Sequence, residues 1–150
     1  MNPLTCPASA RRRNYGFFSK KLDYPELGPD SPAAEQLSDV KEPLETLMSQ
    51  VSDPLEVVTA DNQAYVFIGK PPKKFGVAAI EDGEGLSFVA AAKEKGLVPI
   101  KIQKLNEQFR EAYIHNQDAQ RYKANIAGKE VVVTPCAELV QEVSQIMESM

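Results

Sequence analysis

The 150-residue chain combines an acidic body with a basic N-terminus. It is 43% apolar and 25% charged, and no apolar run approaches the roughly 18 residues that mark a membrane-spanning helix. Residues 1–21 contain five cations and no acid, and since the whole chain carries −4, the remaining 129 residues carry −9. The composition therefore excludes a membrane-spanning protein and predicts one soluble domain preceded by an interaction arm.

The cysteine content indicates the compartment. Cys6 and Cys136 lie 130 residues apart, a spacing that predicts neither a disulfide framework nor a metal site, and no cofactor is expected. We therefore expect a cytoplasmic protein. A cleaved targeting segment is the alternative, because Arg12-Arg13-Asn14-Tyr15 shares features with a twin-arginine signal, although Phe17-Phe18 is followed by Ser19-Lys20-Lys21 rather than by an apolar stretch.

Residues 1–30 form the predicted arm. Five of the eleven prolines fall within the first 32 residues, and the segment has few aliphatic side chains. Such a segment buries too little apolar surface to offset its ordering entropy, so we expect it to be disordered or extended. The domain is predicted to begin at residue 31, where Ser31 is a good helix N-cap and Pro32 suits the first helical position.

The first predicted helix has a proline within it. Leucine and valine recur at spacings of three and four from Leu37 to Val51, the pattern of an amphipathic helix. Pro43 interrupts this stripe. Either the helix kinks there, or a short first helix is followed by a second that begins at Pro43.

The rest of the chain reads as hairpins separated by helices. Strands are expected over 55–59, 64–69 and 75–80, followed by helices over 86–95 and from about 99 onward. A second hairpin, 122–126 with 129–134, precedes a last helix over 135–148. The order α-βββ-α-α-ββ-α predicts an α+β fold, a small antiparallel sheet packed with about four helices.

One candidate for chemistry is the thiol of Cys136. Thr134 and Pro135 place it in the first turn of the last helix, where the helix dipole favours a thiolate. His115 is the single histidine and could act as its base if the fold brings the two together. The alternative is that Cys136 packs as a small apolar residue and that His115 is solvated.

Two charged loops are further candidates. Lys70, Lys73 and Lys74 surround Pro71-Pro72 between two strands and could bind an anion, or could be ordinary surface charges. The acidic turn formed by Glu81, Asp82 and Glu84 lacks the ligand spacing of a calcium loop, so no metal site is expected.

The arm carries the most distinctive pattern. Guanidinium groups stand beside aromatic side chains, a combination by which short segments dock on acidic surfaces; the predicted partner-binding residues are Arg11, Arg12, Arg13, Tyr15, Phe17 and Phe18. A basic tail without a specific partner is the alternative interpretation.

These features predict a non-enzymatic binding, adaptor or regulatory protein that docks on an acidic protein partner. The alternative is a small thiol-dependent enzyme or ligand-binding regulator that uses Cys136. Binding of the arm to an anionic membrane surface is a further option. Nucleic acid is disfavoured as a partner because phosphates would repel the −9 body.

Overall fold

The computed structural model describes residues 24–150. Within this range the chain forms five helices and six strands, in the order α1 (Pro32–Asp39), α2 (Lys41–Gln50), β1 (Leu55–Ala60), β2 (Gln63–Lys70), β3 (Lys74–Glu81), β4 (Glu84–Ser87), α3 (Phe88–Glu94), α4 (Pro99–His115), β5 (Tyr122–Ile126), β6 (Lys129–Val133) and α5 (Ala137–Glu148). The α+β prediction is confirmed.

The six strands form one mixed sheet in the order β4-β3-β2-β1-β6-β5. All neighbours are antiparallel except β1 and β6, which are parallel, with Val57 opposite Val133. The expected all-antiparallel sheet is therefore wrong at this one pairing. The β5–β6 hairpin docks on β1 through its more apolar strand, since Val131 and Val133 are fully buried whereas most of β5 is partly exposed.

Helices cover both faces of the sheet, which explains why every residue of β1 is buried. Alternate strand residues point to opposite faces. One core lies beneath α1 and α2 and contains Leu37, Leu44, Val57, Val66 and Val133, and the other lies beneath α3, α4 and α5 and contains Val58, Phe67, Phe109, Leu139 and Val143.

The predicted interruption near Pro43 is a break between two helices. The Ser31 hydroxyl accepts a hydrogen bond from the Ala34 amide at 3.2 Å, the cap expected at the start of α1. The helix ends at Val40, whose φ of −113° and ψ of 17° reorient the chain, and α2 begins at Lys41. Pro43 is the third residue of α2, where a missing amide hydrogen costs no helical hydrogen bond. The alternative of two successive helices is therefore the correct one, and the second helix begins two residues earlier than expected.

Strand β4 was not expected. Asp82 and Gly83 adopt φ values of 52° and 79°, which tighten the acidic turn to two residues and form a hairpin between β3 and β4. Ser87 then caps α3 by accepting from the Ala90 amide at 3.0 Å. Gly96 follows α3 with a φ of +78°, in the left-handed conformation predicted for it.

Candidate functional site

A buried polar network crosses the centre of the domain. Glu56 lies on β1 and is 7% exposed, and it accepts three hydrogen bonds through its carboxylate. Oε1 accepts from the Tyr113 hydroxyl at 2.7 Å, and Oε2 accepts from Arg121 Nε at 2.8 Å and from Thr134 Oγ1 at 2.6 Å. The network ties β1 to α4 and to the chain segments on either side of the β5–β6 hairpin.

The side chain of Arg121 is as enclosed as the carboxylate it faces. Arg121 is 6% exposed, its NH1 donates to the Gln117 and Ala119 carbonyls at 3.0 and 3.1 Å, and its charge lies 5.1 Å from the centre of the Tyr113 ring. Burial raises the pKa of the Tyr113 hydroxyl far above 10, and the Glu56 carboxylate adds to that rise. Tyr113 therefore stays a neutral donor at all physiological pH values.

The structure places Cys136 and His115 at the two ends of a chain of polar contacts. Cys136 is fully buried, and its Sγ lies 3.6 Å from Asn116 Oδ1. Asn116 Nδ2 donates to Glu142 at 3.2 Å, and Glu142 lies 3.3 Å from Nδ1 of His115. Asn116 and Glu142 thus separate the two residues, and the histidine side chain is 70% exposed. No direct contact between Cys136 and His115 occurs among these hydrogen bonds.

Cys136 is disulfide-bonded, an outcome that the spacing of the two cysteines did not predict. The second cysteine, Cys6, lies outside the described residues. A sulfur in a disulfide is not a thiolate, so nucleophilic chemistry at Cys136 requires prior reduction.

The lysine loop between β2 and β3 is held from one side by α4. Arg110 donates from Nε to the Pro72 carbonyl at 2.7 Å and from NH2 to the Lys73 carbonyl at 3.2 Å. Lys70, Lys73 and Lys74 are exposed, and none forms an ion pair within residues 24–150. The loop has a fixed backbone and three available charges, and its anion-binding role stays a prediction.

The predicted partner-binding residues of the arm, Arg11, Arg12, Arg13, Tyr15, Phe17 and Phe18, lie outside the described residues. What the structure does describe is the end of the arm, Tyr24–Leu27, which we call the anchor segment. Glu26 forms a parallel bridge with Lys123 of β5. The Lys123 amide donates to the Pro25 carbonyl and the Lys123 carbonyl accepts from the Leu27 amide, at 2.9 Å each. The arm therefore joins the domain along the outer edge of β5.

A cavity of about 490 Å³ opens where β1 ends. Thr59, Ala60, Asp61 and Gln63 line it on the sheet side, and the lining from α5 comprises Ala137, Val140, Gln141, Ser144, Gln145 and Glu148. The part of its lining that comes from residues 24–150 contains two carboxylates and no cation.

The Glu56 network was missed at the sequence level. A glutamate inside the apolar run of β1 is the one signal that could have indicated it, because a carboxylate on a strand buried on both faces needs a partner. The partners themselves lie 57 to 78 residues further along the chain.

No family model, curated protein or solved structure matches the chain. Within residues 24–150, no group of three or more His, Cys, Asp or Glu side chains is placed to hold a metal ion, and no helix has the length and apolarity needed to cross a bilayer.

Proposed function

We propose that this chain is a non-enzymatic binding protein that docks on an acidic protein partner through its N-terminal arm, in an adaptor or regulatory role. The observation that carries the proposal is the anchor segment. Its backbone hydrogen bonds with Lys123 fix the point at which the arm leaves the domain, so that a partner held by the arm is brought close to one edge of the sheet.

The state of the reactive groups supports binding rather than catalysis. Both oxygens of Glu56 are occupied by donors, so a substrate would have to displace Tyr113, Arg121 or Thr134 to reach the carboxylate. This arrangement connects β1 to α4 and to the segments that flank the β5–β6 hairpin, and removing one partner would leave a buried charge uncompensated.

The test is a binding measurement with matched variants. A partner is first captured by the full chain, purified, and then passed over immobilised protein. Changing Arg11, Arg12 and Arg13 to Ala should slow association and flatten its salt dependence, because peripheral charges steer encounter. Changing Phe17 or Phe18 to Ala should speed dissociation, with a loss of about thirtyfold in affinity.

The control removes the same charge from another surface. A variant with Lys70, Lys73 and Lys74 changed to Ala also loses three cations, but on the β2–β3 loop. We expect it to bind like the unchanged protein. Equal losses in the two triple variants would show a nonspecific polycation effect, and a loss confined to the lysine variant would transfer the docking role to the loop.

The alternative, a thiol-dependent enzyme or regulator, has its own test. The polar chain from Cys136 through Asn116 and Glu142 to His115 is the arrangement that favours it. Under the binding proposal, Cys136 resists alkylation in the folded protein even after mild reduction, because its side chain is fully buried. Rapid modification after reduction would favour the thiol enzyme.

A cytoplasmic location is part of the proposal, and the disulfide of Cys136 speaks against it because disulfides are rare in the reducing cytosol. The thiol state of Cys136, measured by rapid alkylation in lysed cells, distinguishes the two compartments.

A further inference from the structure

The two ends of the sheet carry opposite charge, and this follows from the strand topology. The β1–β2 and β3–β4 turns lie at the end of the sheet to which β1 runs, and they bring Asp61, Glu81, Asp82 and Glu84 there. The β2–β3 loop with its three lysines lies at the other end. We call the end with these carboxylates the acidic end and the end with the β2–β3 loop the lysine end.

The carboxylates of the acidic end have no cationic partner among residues 24–150. Asp61, Glu81, Asp82, Glu84 and Glu148 are all exposed, and none forms an ion pair within the described part of the chain. Glu148 belongs to this group because it lies near the same tyrosine as Glu81. Burial is the larger cause of the raised pKa of the Tyr65 hydroxyl, and the negative charges of Glu81 and Glu148 raise that pKa further.

Buried acceptors without partners lie beside Asp61. Gln36 is 6% exposed and donates through Nε2 to Asp61 Oδ1 at 2.9 Å, so its amide group reaches the acidic end, yet its Oε1 accepts no hydrogen bond from residues 24–150. Thr59, fully buried and lining the cavity, likewise has an Oγ1 without a partner in this range. A ligand that binds this amide oxygen and the neighbouring carboxylates needs several N–H donors, because all of these oxygens are acceptors. A guanidinium group supplies five.

The arm starts at this end of the molecule. β5 runs away from the acidic end, since Tyr122 pairs with Val133 at the carboxyl end of β6. The anchor segment is parallel to β5, so Tyr24 lies nearer the acidic end than Leu27, and the chain before Tyr24 is attached there.

The arm is also long enough to reach the carboxylates. Six strand intervals separate the anchor segment from β4, about 29 Å at the usual spacing. The eleven residue-to-residue steps from Arg13 to Tyr24 span up to about 36 Å when the chain is extended. Every carboxylate on the turns of the sheet is therefore within reach of Arg11–Arg13.

From this geometry we infer that Arg11–Arg13 bind the acidic end of their own domain, at Asp61 and the adjoining cavity. The acidic end then competes with the acidic partner for binding to Arg11–Arg13. In the free protein these arginines are covered by the domain. The inference extends the proposed function by adding regulation to the same arm.

Limited trypsin digestion of the full chain measures the masking without any partner. Trypsin cuts after Arg11, Arg12 and Arg13, and the rate is followed by mass spectrometry under native conditions. The test variant carries Asp61→Asn and Glu148→Gln, so that Gln36 and Ser144 keep an oxygen acceptor at each position. We expect cleavage about tenfold faster in this variant, since two exposed charge contacts are lost and each contributes roughly threefold. Salt should produce the same acceleration in the unchanged protein.

The matched control changes one Asp and one Glu elsewhere. Asp53→Asn with Glu111→Gln alters the net charge equally at two exposed positions, Asp53 at the lysine end and Glu111 on α4, and should leave the cleavage rate unchanged. Equal rates in all three proteins would overturn the inference. Protection that disappears on dilution would also overturn it, because the arm would then be bound by a second copy of the chain. Neither result bears on docking to a partner, which is measured separately.

Discussion

Neutralising Glu56 is expected to destabilise the domain severely. In Glu56→Gln the side chain keeps its shape, but the guanidinium of Arg121, 6% exposed, loses its counter-charge. Breaking a buried ion pair by removing one partner typically costs about 3–5 kcal/mol. The new amide also presents two donors to a site where Tyr113, Arg121 and Thr134 already donate, so at least one hydrogen bond is lost.

Two further variants separate the contributions within the network. Tyr113→Phe removes one hydrogen bond to the carboxylate and should cost about 1.5–3 kcal/mol. Replacing both charges, as in Glu56→Leu with Arg121→Met, should cost less than the sum of the two single changes because no unpaired charge remains. The free energy of unfolding is measured by denaturant titration followed by circular dichroism, since the chain has no tryptophan.

An exposed ion pair of the same type provides the control. Glu107 pairs with Arg110 on the surface of α4, with 58% of the Glu107 side chain exposed, and Glu107→Gln should cost less than about 1 kcal/mol. If Glu56→Gln costs no more than Glu107→Gln, the carboxylate and guanidinium of the network are solvated, and the account of them as a buried pair is wrong.

Three other predictions follow from local features. Tyr113 has a raised pKa, so the folded state favours the neutral phenol, and the free energy of unfolding is constant below the ordinary tyrosine pKa of 10.0 and falls as pH rises beyond it. Ultraviolet titration should show late-ionising tyrosines, and Tyr113→Phe should reduce their number by one while Tyr65 remains. Gly69→Ala should destabilise by about 1–3 kcal/mol in thermal unfolding, because φ is +115° and the new Cβ would lie 2.8 Å from the Lys74 carbonyl oxygen, whereas Gly76→Ala, with open space around it, should not. With the disulfide of Cys136 reduced in every sample, deleting residues 1–27 should lower the unfolding midpoint further than deleting 1–22, since only the longer deletion removes the backbone bonds to β5; equal midpoints for the two deletions would show that the anchor segment contributes nothing.

The elements that sequence predicts well are those whose signal is local. The Ser31-Pro32 helix start and the left-handed Gly96 depend on residues a few positions apart, and both were expected. Strand β4 was missed because its four residues are all exposed and include Gly85, so no apolar alternation distinguishes it from a turn.

Long-range pairings leave no such signal. The parallel pairing of β1 with β6 depends on which strand of the second hairpin is more apolar. That comparison predicts the pairing only if the position of the hairpin beside β1 is already known. The same holds for the candidate site. Glu56 stands out in its strand, yet nothing near Arg121 or Thr134 in the sequence identifies them as its partners, because the contacts form between segments brought together by the complete sheet.

The anchor segment also affects how the sheet meets other sheets. A free edge strand exposes a row of unpaired amides and carbonyls that invites pairing with another chain. Glu26 and its neighbours cover part of the β5 edge. In the described part of the chain, the opposite edge of the sheet is β4. With four residues, a charged Glu84 at its start and α3 directly after it, β4 offers a foreign strand few backbone groups. The sheet is thereby protected from growing into larger β assemblies, and losing the anchor segment would remove that protection at the β5 edge.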